Sequence, residues 1–94
     1  MIKHIVTWKL KDDIDKSIVA QNIKRELEGL LGKVENLLSA EVNIDKSGDT
    51  LILDSTLTSF DALKEYQTHP EHVKVADTFV RPYAAQRISV DYEY

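Results

Sequence analysis

The architecture of this chain follows from residues 2–10, which read IKHIVTWKL. Along this stretch, mostly apolar side chains alternate with a second set that contains Lys3, Thr7 and Lys9 as well as Ile5. One face of the alternation carries Ile2, His4, Val6, Trp8 and Leu10. A period of two residues is typical of a strand with one buried face. Residues 2–10 are therefore predicted to form the first strand of a sheet.

Three more segments alternate in the same way, residues 38–46, 51–57 and the tail 87–94. The first two are separated by KSGD at 46–49, whose composition is typical of a turn, so they are predicted to pair as a hairpin. In the tail, Ile88, Val90, Tyr92 and Tyr94 alternate with polar residues. The chain is thus predicted to contain four strands.

A first helix is predicted between the first strand and the hairpin. Asp13 or Asp15 can cap its beginning, because a short acidic side chain accepts hydrogen bonds from free amides of the first turn. Apolar residues at helical spacing continue as far as Val34. Gly32 is a candidate C-terminal cap, since glycine tolerates the left-handed conformation found there.

A second helical region is predicted between the hairpin and the tail. Ser59 can cap its beginning, and Asp61 lies in its first turn. Pro70 must interrupt this helix, because proline lacks an amide hydrogen and restricts the residue before it. Since proline is well suited to a first helical position, a new helical segment is expected to begin there and end near Pro82.

The resulting order, β-α-β-β-α-β, predicts an α+β, ferredoxin-like fold: a four-stranded antiparallel sheet with the helices on one face. The usual strand order is 4-1-3-2. The strongly apolar strand faces, including His4 and Trp8, are expected to lie under the helices. The other face is expected to be half apolar, with Ile5, Thr7, Ile52 and Thr56 at its middle. Because a domain this small buries little surface alone, that face favours a homodimer.

The composition limits the class of protein. The 94 residues are 43% hydrophobic and 30% charged, which predicts one soluble domain, residues 1–94. A net charge of −4 disfavours nucleic acid as a partner. No run approaches the roughly 18 to 20 apolar residues of a membrane span, and the start lacks the apolar stretch of a signal peptide. A cytoplasmic location with no membrane partner is therefore expected. The absence of cysteine excludes disulfides and thiolate chemistry.

Three stretches resemble the stress-responsive A/B barrel family, often called Dabb. Residues 1–12, MIKHIVTWKLKD, resemble the first strand of that family. Residues 66–73, YQTHPEHV, resemble its tyrosine and His-Pro-x-His signature, and residues 88–93, ISVDYE, resemble its last strand. The resemblance covers nearly the whole chain. It implies a dimeric α+β barrel in which the sheets of two subunits face each other.

The resemblance also implies candidate site residues. A plant polyketide cyclase of the family works without a cofactor, and the matching pocket positions here are His4, Tyr66 and His72. The signature also occurs in members without known catalysis. Residues 24–27, KREL, lack the further pocket tyrosine of the cyclase, and the turn after the first helix differs as well. A substrate of a different shape is therefore implied.

The three candidate catalytic residues suit proton transfer next to a carbonyl group. Histidine exchanges protons near neutral pH, and the Tyr66 phenol can donate a hydrogen bond to an enolate oxygen. Trp8 and His69 are candidate substrate-binding residues. Each residue also has a structural interpretation: His4, Trp8 and Tyr66 as core residues, His69 as a helix cap, and His72 as a partner of backbone at the helix break.

Other chemistries find less support in the sequence. His69 and His72 stand three residues apart, but no third ligand is fixed by spacing, so no metal is predicted. Three glycines provide no phosphate-binding loop, and no cofactor is predicted. Three hypotheses remain open: a small-molecule-binding or stress-associated homodimer, a cofactor-free cyclase or isomerase, and a purely structural assembly unit.

Overall fold

The computed structural model describes all residues 1–94, which form four strands and three α-helices. The strands are β1 (Ile2–Leu10), β2 (Leu37–Ile44), β3 (Thr50–Leu57) and β4 (Ala84–Glu93). The helices are α1 (Lys16–Glu28), α2 (Phe60–Thr68) and α3 (Pro70–Val75), and α3 continues as a π-helical turn over Ala76–Val80. All strand pairs are antiparallel, in the order β2-β3-β1-β4. The predicted ferredoxin-like fold and strand order are confirmed.

Helix α1 begins where the sequence predicts and ends earlier. The Asp15 side chain caps it by accepting a hydrogen bond from the Ile18 amide at 3.2 Å. The helix stops at Glu28 with Gly29 as its cap, so the prediction that Gly32 caps its end is wrong. Gly29 and Gly32 favour turns over helix, and Gly32 adopts a left-handed φ of 84°. No helix of the chain is long and apolar enough to cross a membrane.

The second helical region divides at Pro70, as predicted. Ser59 caps α2 by accepting a hydrogen bond from the Ala62 amide at 3.1 Å. The residue before the proline, His69, has extended backbone (φ −62°, ψ 134°), because proline disfavours the helical conformation there. Helix α3 then begins with Pro70 itself. This break positions the side chains of α3 relative to those of α2.

The inner face of the sheet, which lies against the helices, contains the core. On β1 every inner-face residue is buried, including His4 and Trp8, as the alternation predicted. The inner residues of β3 and the apolar stripe of α1 complete the same cluster. Its fully buried members include Ile2, Leu10, Ile23, Leu27, Leu51, Leu53, Leu57 and Tyr66.

Strand β4 differs from the expectation that apolar strand faces lie under the helices. Val90 pairs with Ile5 and Asp91 pairs with His4, so the apolar side chains of β4 point to the outer face, away from the helices. Antiparallel partners share a face of the sheet, and the register leaves no other arrangement. The polar face of β4 therefore faces inward, and the apolar one is exposed on the molecular surface.

Candidate functional site

A cavity of about 400 Å³ lies between the inner face of the sheet and the helical layer. It is formed by β1, β3 and the start of β4 on one side and by the helices on the other. Its volume is within the range of small-molecule sites. The residues that line it are His4, Val6, Trp8, Leu27, Leu53, Gln67, His72, Ala76, Val80, Arg81 and Arg87.

The break at Pro70 fixes the position of His72. The His72 Nδ1 atom lies 3.2 Å from the carbonyl oxygen of Gln67, in the last turn of α2. Because a carbonyl oxygen can only accept, Nδ1 carries the hydrogen and donates it. The bond spans the junction between the two helices and holds the imidazole against the cavity. The Nε2 atom is left unprotonated, with no hydrogen-bond partner in the protein.

His4 is held by a residue of the neighbouring strand. Its Nδ1 donates a short hydrogen bond to Asp91 Oδ1, on the β4 residue paired directly with it. His4 is buried, whereas the Asp91 side chain is about one-third exposed. A carboxylate only accepts, so this bond requires a hydrogen on Nδ1 of His4. Both histidines of the cavity are therefore held through Nδ1, which leaves Nε2 of each ring without a partner in the protein.

Tyr66 lies behind the two histidines. Its ring centroid is 4.4 Å from that of His72 and 6.1 Å from that of His4. Its hydroxyl is the one buried side-chain polar atom without a hydrogen-bond partner, and the ring does not line the cavity. Burial raises the pKa of Tyr66 to about 12, so the phenol keeps its proton at neutral pH. It is thus a hydrogen-bond donor rather than a base.

Burial has the opposite effect on His72. Loss of solvent lowers its pKa below the ordinary value of 6.5, and the nearby positive charges of Arg81 and Arg87 act in the same direction. The hydrogen bond to Gln67 partly offsets this decrease. His72 is therefore neutral at pH 7, which is the form able to accept a proton.

The two candidate substrate-binding residues lie in different places. Trp8 lines the cavity and provides an apolar wall. His69 does not line it: its Nδ1 accepts a hydrogen bond from the Glu71 amide at 3.1 Å and so caps α3. The extended backbone before Pro70 gives His69 this capping geometry. The structure thus brings His4, His72 and Trp8 together, with Tyr66 adjacent, and leaves His69 outside.

Four polar residues that line the cavity or position its histidines were missed by the sequence reasoning: Asp91, Arg81, Arg87 and Gln67. A signal for two of them was present, because the order 4-1-3-2 makes the last strand a neighbour of the first. With that pairing, the polar face of the tail lies on the side of His4 and Trp8, and Arg87 and Asp91 belong to that face. Gln67 and Arg81 gave no such signal, since their positions depend on the helix break and the π-helical turn.

Comparison with known proteins agrees with this fold. A family model for the Stress responsive A/B Barrel Domain matches residues 2–94. The chain therefore belongs to the stress-responsive A/B barrel family.

Individual proteins are similar to this chain in sequence, in fold or in both. The chain is 31% identical, over 98% of its own length, to a stress-response A/B barrel domain-containing protein of Arabidopsis thaliana. It spans only 36% of that longer protein. A dimeric ferredoxin-like protein of unknown function from Bacteroides fragilis is 34% identical, with a TM-score of 0.89 over 99% of this chain and 95% of that one. A solved structure of another Arabidopsis thaliana protein is 24% identical, with a TM-score of 0.85 over 100% of this chain and 95% of that one.

Proposed function

We propose that this chain is a stress-associated homodimer that binds a small molecule in the cavity beneath the helices. The observation that carries the proposal is the cavity itself, about 400 Å³ in volume and lined by Trp8 and two oriented histidines. Ligand sites commonly combine apolar walls with a few fixed polar groups. Here Val6, Leu53 and Trp8 provide the walls.

The outer face of the sheet supports the dimer. Ile88, Val90 and Tyr92 are 67%, 54% and 47% exposed, and they adjoin the half-buried Ile5. An apolar patch of this kind on a sheet face is typical of a protein–protein interface. The Bacteroides fragilis relative is dimeric, which supports a second copy of this chain as the partner.

Ligand binding is tested with 4-phenylbutan-2-one, a small ketone with an aromatic ring. Trp8 is the one tryptophan of the chain, so its fluorescence reports on the cavity directly. Val80 lines the cavity, and Val80→Phe is expected to fill it and to weaken binding by about tenfold or more. Val73, on the same helical segment, is half-buried and lies outside the cavity lining. Val73→Phe is therefore the matched control and should bind as wild type does.

The two variants separate the outcomes. Saturable binding that Val80→Phe removes and Val73→Phe keeps supports the cavity as the site. Circular dichroism establishes that both variants are folded, and Ala76→Val offers a smaller change on the same wall. Equal binding by all variants, or no change in Trp8 fluorescence, would contradict the proposal.

A second candidate function is proton transfer next to a carbonyl group without a cofactor, as in a cyclase or isomerase. The observation that favours it is the pair of histidines in one cavity, each held with Nε2 free. Neutral His72 would remove a proton from the carbon beside the carbonyl, and the C–H electrons would form the enolate. The protonated His72 would exchange its Nε2 hydrogen with water and then deliver a solvent-derived proton to the enolate carbon, which regenerates neutral His72.

Deuterium exchange tests this second candidate. In heavy water, NMR follows loss of the hydrogens beside the carbonyl of 4-phenylbutan-2-one. We expect His72→Gln to remove any enzymatic exchange, and Asp91→Asn to reduce it by releasing His4. His69→Gln is the matched control, because that histidine caps α3 outside the cavity. An exchange rate that equals the background without protein, or is unchanged in His72→Gln, would exclude this chemistry.

A further inference from the structure

We propose that the cavity selects an organic carboxylate with an apolar body, and that Arg81 and Arg87 bind the carboxylate. This inference rests on the proposed binding function and names the class of ligand. The sequence reasoning singled out neither arginine. Both follow from where the fold places the end of the helical region and the start of β4.

The two arginines come from separate elements and meet at one side of the cavity. Arg81 follows the π-helical turn, whose 2.8 Å hydrogen bond runs from the Arg81 amide to the Ala76 carbonyl. Arg87 lies on β4 directly opposite Trp8. Both side chains line the cavity and also an adjoining groove of about 220 Å³. They therefore stand where the cavity and the groove meet, at the entrance to the site.

The charge around this entrance differs from that of the whole chain. The protein carries a net charge of −4, yet the cavity lining contains two arginines and no aspartate or glutamate. The remaining polar side chains of the lining are His4, His72 and Gln67. A confined positive region on an acidic protein favours a small anion over a large polyanion.

The guanidinium groups have free donors. The one side-chain hydrogen bond of Arg87 goes to Ser89 Oγ, at 3.3 Å, and involves no carboxylate. Arg81 pairs with Asp77 through a single nitrogen, and both of these side chains are more than half exposed. An exposed pair of this kind is weak, and guanidinium has five N–H donors. A ligand carboxylate can therefore bind both arginines, and guanidinium favours bidentate hydrogen bonds to a carboxylate.

The far side of the cavity determines the rest of the ligand. Val6, Leu27 and Leu53 form an apolar wall away from the arginines, and Trp8 extends from it toward the entrance. The positive charges of the two arginines also act on His72 inside the cavity. Burial is the larger cause of its lowered pKa, and both arginines lower that pKa further. A ring or acyl chain against the wall and a carboxylate at the entrance would satisfy both regions.

The experiment compares two ligands that differ only in charge, 4-phenylbutanoate and 4-phenylbutanamide, by titration of Trp8 fluorescence. We expect the carboxylate to bind wild type at least about tenfold more tightly than the amide, as for a charge-assisted pair. In the double variant Arg81→Gln, Arg87→Gln this affinity ratio should fall toward one, because the carboxylate loses more affinity than the amide does. Arg25→Gln is the matched control, because Arg25 is an exposed α1 residue outside this cavity.

The possible results are distinguishable. A carboxylate preference that Arg25→Gln keeps, the double variant loses and high ionic strength weakens supports the inference. Equal affinity of wild type for the two ligands overturns it while leaving the proposed binding function intact. A preference that survives in the double variant overturns the role of the arginines. No fluorescence change with either ligand overturns both the inference and the binding function.

Discussion

Strands β1 and β4 are hydrogen-bonded neighbours, and both alternate between apolar and polar residues, yet they place these residues on opposite faces. The apolar face of β1 lies under the helices, where His4 and Trp8 are buried. The apolar face of β4 points the other way and exposes Val90 and Tyr92. Its polar face brings Asp91 to His4, at the edge of the helical layer.

The comparison shows how one edge strand contributes to two surfaces. The inward side of β4 provides a charge for the cavity at Arg87 and an orienting carboxylate at Asp91. The outward side provides the apolar residues that the proposed dimer would cover. Strand alternation alone indicates that one face is buried but does not identify what buries it. For β1 it is the chain's own helices, and for β4 we propose a second copy.

The largest expected effect is on the outer face. Val90→Lys should convert the proposed dimer to a monomer, because a lysine charge would have to be buried against the partner's apolar sheet. Sedimentation velocity measures the change in mass. Ile18→Lys is the matched control, since Ile18 is similarly exposed, at 60%, but lies on α1. A wild type that is monomeric at micromolar concentration, or an unchanged mass in Val90→Lys, would remove this face as the interface.

A matched pair of substitutions on β1 compares its two faces. Ile2 is fully buried on the inner face, whereas Ile5 is half-buried on the outer one. Ile2→Ala should lower the free energy of unfolding by about 2–5 kcal/mol, as for a buried aliphatic residue. Ile5→Ala should lower the free energy of unfolding clearly less than Ile2→Ala does. Urea unfolding in a Val90→Lys background keeps dimer dissociation out of the measurement, and equal losses would contradict the assignment of faces.

A substitution at Tyr66 is expected to change the free energy of unfolding by a smaller amount and in the opposite direction. Its hydroxyl is buried without a partner, which is unfavourable for the folded state. Tyr66→Phe should therefore raise the free energy of unfolding by about 1 kcal/mol, measured in urea. A loss of stability would show that the hydroxyl is hydrogen-bonded in solution. If Tyr66→Phe also abolishes deuterium exchange, the Tyr66 hydroxyl takes part in the proton-transfer reaction as a hydrogen-bond donor.

His72 gives the smallest effect, visible as a pH dependence. Burial lowers its folded-state pKa below 6.5, so the unfolded chain binds a proton more readily than the folded one. Its contribution to stability is therefore fully present above about pH 7.5 and decreases as pH falls through 6.5 toward the folded-state pKa. The free energy of unfolding, measured with urea at several pH values in this window, should depend less steeply on pH in His72→Gln than in wild type. If the free energy of unfolding depends on pH equally in both proteins, the pKa of His72 is not lowered by burial.

The sequence predicted the fold closely because its signals are local. The alternation of residues 2–10, the cap at Ser59 and the break at Pro70 depend on neighbours a few residues away. The end of α1 was missed because apolar residues continue at helical spacing beyond Glu28 as far as Val34. Leu30 and Val34 are buried there in turns, which the same spacing does not distinguish from a helix.

The candidate site was predicted less completely than the fold. His4, His72 and Trp8 were identified, and the structure places all three around one cavity. His69 belongs to the same sequence signature, but the extended backbone before Pro70 makes it a cap instead. Asp91 was missed because its role depends on the pairing of β4 with β1, which brings it to a histidine 87 residues away in the sequence.

The sequence by itself determined the elements, their order and the inward face of β1, because hydrophobic period, capping and proline geometry act over short distances along the chain. Only the tertiary structure decided that the apolar face of β4 points outward, and which charges reach the cavity. Those features arise from strand register and from the junction between helices. Strand register pairs residues that are far apart in the sequence, so it cannot be predicted from a local sequence pattern.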